Sequence, residues 1–146
     1  MLRNRSVPVD VVLPHVFYAD VASAVEWLGR VFGFEEHFRY GDPAQGAQMH
    51  LGDAWVMLSQ AEREGRGTPA QVGVATQMLT LFVEDVDGHY ARSKAAGAEI
   101  VEDLHETEYG ERQYGVKDLD GHWWLFSRHA KDVAPEEWGA QVAKTV

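Results

Sequence analysis

Two short segments of this chain recur in the same order. Phe17-x-x-Asp20-Val21 returns as Phe82-x-x-Asp85-Val86, at an offset of 65 residues. Trp55-Val-Met-Leu-Ser59 returns as Trp123-Trp-Leu-Phe-Ser127, at an offset of 68. Each window shares only two or three letters. The common order and near-equal offset make this an internal repeat, which limits the fold to two similar halves.

Local patterning gives both halves the same contents. In the first, Asp10 to Ala19 is rich in Val, Phe and Tyr and reads as a strand. Asp20 is placed as a helix N-cap. Val21, Ala24, Val25, Leu28 and Val31 then follow at helical spacing, up to a stop at Gly33. Phe34 to Tyr40 reads as a strand. Ala47 to Leu51 and Ala54 to Ser59 read as a hairpin turning at Gly52-Asp53. Ala61 to Ala75, rich in Gly, Pro and charge, reads as a linker. The second half has strands at Gln77 to Val83, Glu99 to Leu104, Arg112 to Lys117 and His122 to Ser127. Its helix follows the cap Asp85 and ends near Gly97. Pro135 to Lys144 is predicted to be a terminal helix with Pro in its first turn.

The predicted fold is therefore α+β: two βαβββ modules forming a curved mixed sheet around a cleft, with helices outside. A length of 146 residues suits one domain, 1–146, with modules at about 10–60 and 76–128. Neither half covers its own sheet, and ligands are expected in the cleft.

Composition narrows the function classes. The formal net charge of −10 disfavours nucleic acid, favours a cationic ligand and aids solubility. No apolar run approaches membrane-spanning length, and Met1 to Pro8 lacks the apolar segment of a signal peptide. Cysteine is absent, so disulfides, thiolate nucleophiles and cysteine metal sites are excluded. A cytoplasmic location is expected. There is also no phosphate-cradling Gly loop and no Gly-x-Ser-x-Gly elbow.

Several segments resemble the vicinal oxygen chelate superfamily, the glyoxalase/bleomycin-resistance type. They are Pro14-His-Val-Phe-Tyr-Ala-Asp20, Trp27-Leu-Gly-Arg-Val-Phe-Gly-Phe34, Gly97-Ala-Glu-Ile100, Tyr109-Gly-Glu-Arg-Gln-Tyr114 and Asp118-Leu-Asp-Gly-His-Trp-Trp-Leu-Phe-Ser127. Together they span about residues 11–129, and they look most like the phosphonate-operon-like subgroup. The resemblance implies a small-molecule ligand and a homodimer. In metal-dependent members it implies one divalent ion on four side chains, usually His or Glu. The corresponding positions here are Leu13, Met57, Met78 and Leu125. Leu13 and Met78 are placed by counting back from the helix starts. Met57 and Leu125 are fixed by the repeat. All four are apolar, whereas such ions need oxygen or nitrogen donors. No metal and no cofactor are expected.

Strand parity then nominates the ligand-facing residues. They are His15, Phe17, Gln48, His50, Trp55 and Met57 in the first half. In the second they are Met78, Phe82, Arg112, Tyr114, Trp123 and Leu125. His15 is the candidate general base. His37, His89, His105 and His129 receive no role, and Glu106, Glu108 and Glu111 read as a solvated loop. Two readings stand. One is a metal-free protein that sequesters an aromatic or cationic compound. The other is a lyase, isomerase or dioxygenase-like enzyme using His15 or a displaced metal site.

Overall fold

A computed structural model describes residues 1–143. It divides into two compact units, Met1–Ala75 with Leu119–Gly121, and Thr76–Asp118 with His122–Val146.

In the first unit, β1 (His15–Tyr18) is followed by α1 (Val21–Trp27), which runs on as a π-helical turn over Leu28–Phe32. Gly33 adopts the left-handed conformation (φ 84°) and ends it, as the sequence predicts. The strands β2 (Glu35–Tyr40), β3 (Gly46–Leu51) and β4 (Ala54–Gln60) complete a sheet of order β1-β4-β3-β2. Val21, Ala24, Val25, Leu28, Val31 and Phe32 are buried on one side of the helix. Val16, Tyr18, Ala47, Met49, Val56 and Leu58 supply the facing side of the sheet. This apolar layer is the core of the unit.

The second unit has the same plan. It holds β5 (Met78–Phe82), α3 (Val86–Ala95), β6 (Glu99–Glu106), β7 (Glu111–Lys117) and β8 (Trp123–His129) in the order β5-β8-β7-β6. In both sheets the outer first strand is parallel to the last and the other pairings are antiparallel. Registers match across the repeat. Phe17 stands opposite Ser59 as Phe82 stands opposite Ser127. His15 and Met57 correspond to Thr80 and Leu125 in the same way.

Some boundaries differ from the sequence reading. The first strand begins at His15 rather than Asp10. Pro14 has no N–H for the ladder, although its carbonyl still accepts from the Met57 N–H at 2.8 Å. Asp20 occupies the N-cap position, but its carboxylate accepts from the Ser23 hydroxyl (2.6 Å). The Val21 N–H donates instead to Gln60 Oε1 (2.6 Å). Asp85 caps as expected, accepting from the Gly88 N–H at 2.9 Å. The stretch read as a linker contains a short helix, α2 (Pro69–Val72). Thr68 and Gln71 close a reciprocal capping box there, a T-x-x-Q signature visible in the sequence. The predicted terminal helix is only a 3-10 turn over Pro135–Trp138, closed by left-handed Gly139. Lys144, its predicted end, lies outside the described residues.

Candidate functional site

Each sheet has one face on its helix and one face open. In the first unit the open face carries His15, Met57, Gln48 and Phe38 in one cross-strand row. Trp55 and His50 form the next row. The Gly52-Asp53 turn produces the expected pairings, His50 with Trp55 and Gln48 with Met57. His50 stacks on Trp55, with centroids 4.4 Å apart, and His37 meets Trp55 edge-on at 5.4 Å. Phe17 is half-buried, and the Arg66 guanidinium lies over its ring at 4.7 Å. His15 is exposed.

His37, which the sequence leaves without a role, belongs to this face. The register of β2 shifts between Glu36 and Phe38, a bulge with His37 at its centre. Its Nδ1 lies 2.7 Å from Gln48 Oε1. Gln48 is 1% exposed, and its Nε2 has no hydrogen-bond partner among the described residues. The N-terminal segment lines the same place. Arg3, Arg5, Val7 and Asp10 join His37 and Trp55 around a cavity of about 570 Å³. That volume is in the range of small-molecule sites.

In the second unit Met78, Phe82 and Trp123 are 53%, 58% and 39% exposed on the open face of β5 and β8. Leu125 is half-buried between Thr80 and Gly115. Glu111 lies in β7 rather than in a solvated loop. Its carboxylate accepts from the Ser127 hydroxyl (3.2 Å) and meets His129 Nδ1 (2.7 Å). The His129 ring lies 4.7 Å from that of Phe82.

Arg112 and Tyr114 are not on this face, contrary to expectation. Lys117 pairs with Trp123, so Gly115 rather than Val116 stands opposite Leu125. A shift of one residue turns every side chain of the strand over. The cause is the wide turn at residues 118–122. Asp118 holds it by accepting from the His122 N–H (3.0 Å) and from Trp124 Nε1 (3.0 Å). Tyr114 is therefore buried against α3, where its hydroxyl meets Ser93 Oγ (2.8 Å) and His89 Nδ1 (2.6 Å). Burial pushes its pKa up to about 12. Arg112 pairs with Asp87 of α3 (2.8 Å) and holds that carboxyl below its usual range.

The four positions implied for a metal do not fit one. Met57 and Leu125 lie on the open faces in matching registers. Met78 begins β5, and Leu13 precedes β1 by two residues. They present hydrocarbon and thioether, not the hard donors that divalent ions require.

The βαβββ repeat and its open sheet faces define a known class. The chain belongs to the Glyoxalase/Bleomycin resistance protein/Dioxygenase superfamily, whose model matches residues 9–126. An uncharacterized protein of Mycobacterium bovis is 30% identical over 132 residues, covering 85% of this chain and 86% of that one. The crystal structure of TioX from Micromonospora sp. ML1 is similar at 36% identity, with TM-score 0.70. That match covers 83% of this chain and 99% of TioX. The fosfomycin resistance protein FosX of Listeria monocytogenes shares the fold at 16% identity and TM-score 0.61, over 88% of this chain and 97% of FosX. No helix among the described residues is long and apolar enough to cross a membrane.

Proposed function

We propose that this chain binds an aromatic small molecule without a metal ion, and acts by holding that compound rather than transforming it. The observation that carries the reading is the chemistry of Met57 and Leu125. They sit at matched registers on the two open faces, among aromatic side chains, with no oxygen or nitrogen donor at either position. Apolar and aromatic walls bind flat rings by burial and stacking. Calorimetry of the full chain and of Trp55→Ala against a panel of planar aromatic compounds tests this. Heat with at least one compound, reduced in the variant, supports it. Absence of heat across the panel removes it.

The exposed apolar group Met78, Phe82 and Trp123 supports a second part of the proposal, a homodimer that covers this face. A catalytic reading rests on His15, which is exposed beside Met57 and accessible to a ligand on that face. Turnover lost in His15→Ala would establish it.

A further inference from the structure

The net charge of −10 argues for a cationic ligand, but the first unit's cavity carries a different local charge. Its lining holds two guanidinium groups, Arg3 and Arg5, against one carboxylate, Asp10. Neither arginine is used in an ion pair among the described residues. The segment that carries them is folded locally. The Ser6 N–H donates to Asn4 Oδ1 (3.0 Å), and the Val7 N–H donates to the Asn4 carbonyl (3.1 Å).

The aromatic wall of the cavity is fixed in place. Trp55 has His50 stacked on it at 4.4 Å and His37 against it at 5.4 Å, with an interplanar angle of 80°. His37 is hydrogen-bonded to Gln48, whose buried Nε2 has no partner among the described residues. A buried amide without a partner is uncommon and costs stability, so its presence beneath a cavity wall marks a polar site rather than simple core. Free guanidinium groups lining the same cavity as a flat indole match a ligand that is planar at one end and anionic at the other. Guanidinium binds carboxylate through paired, charge-assisted hydrogen bonds.

We infer that this cavity takes a planar aromatic carboxylate, with the ring against Trp55 and the carboxylate on Arg3 and Arg5. The inference rests on the aromatic-binding reading above and assigns its charge class and place. Asp10 in the same lining disfavours a second negative charge on the ligand, so a monoanion is specified. His37 contributes a polar edge beside the ring.

The test is calorimetric titration of the full chain with 2-naphthoate, and separately with 2-naphthylmethylammonium, which has a similar ring and the opposite charge. Naphthoate is expected to bind tighter than the amine by roughly tenfold or more, the factor that one or two charge-assisted hydrogen bonds supply. The double variant R3A/R5A is expected to erase that preference. Both positions are exposed, and unchanged circular dichroism and melting temperature will show that the variant is folded. Equal or tighter binding of the amine would overturn the anion assignment while leaving aromatic binding intact. A preference for naphthoate that persists in R3A/R5A would overturn the assignment to this cavity. Binding of neither probe would overturn the inference, while the reading beneath it falls only if the whole aromatic panel also gives no heat.

Discussion

The Tyr114 hydroxyl lies 2.8 Å from Ser93 Oγ, joining β7 to α3 inside the second unit. The contact holds on the helix side of the sheet a residue suited to ligand recognition, which the β7–β8 register turns away from the open face. Tyr114→Phe leaves Ser93 and His89 without this partner in a buried setting. We expect a loss of about 1–3 kcal/mol in urea unfolding, with ligand affinity unchanged. Lost affinity at full stability would place Tyr114 in the site instead.

The same tyrosine makes stability depend on alkaline pH. Its pKa is raised from 10.0 to about 12 by burial, so the folded state holds the phenol proton more tightly than the unfolded chain does. The resulting stability is fully present below about pH 10 and is lost as pH rises toward 12. Denaturant midpoints between pH 9 and 11.5 should fall in the native chain. Tyr114→Phe should remove Tyr114's share of that fall. Identical slopes for both proteins would refute the assignment.

Gln48 and His37 share a hydrogen bond, and the buried Gln48 Nε2 has no partner among the described residues. Replacing Gln48 with Leu removes the buried amide at similar volume. Stability is expected to rise by about 1 kcal/mol, because the desolvation cost of the orphan group disappears. Affinity for 2-naphthoate should fall as His37 loses its support. A drop in stability would show that the His37 bond outweighs the orphan amide.

The exposed row Met78, Phe82 and Trp123 gives a prediction about assembly. Light scattering of the native chain should report a dimer. Phe82→Ser with Trp123→Ser should shift it toward monomer without loss of secondary structure, because neither side chain belongs to the core. A native monomer at high micromolar concentration would end the dimer proposal.

Much of this fold is legible in the sequence. The Phe-x-x-Asp-Val and Trp-to-Ser repeats fixed the order of elements, and the two-residue turn at Gly52-Asp53 fixed the β3–β4 register to the residue. The β7–β8 register was not legible, since several hydrogen-bonded turns fit between Lys117 and Trp123, and each sets a different parity. His37 escaped for a related reason. A bulge adds one residue to β2, and simple alternation carries no trace of it. The arginines of the N-terminal segment lie outside both repeats, so only folding brings them beside Trp55. The side-chain roles of Glu111 and His129 likewise emerge from cross-strand pairing.

The central claim is binding without a metal. It is tested most directly by measuring 2-naphthoate affinity before and after exhaustive treatment with a chelator, with elemental analysis of the same samples. The account predicts less than stoichiometric divalent metal in the untreated protein and the same affinity in both samples. One metal ion per chain, with affinity lost on chelation and restored by adding that ion back, would contradict it.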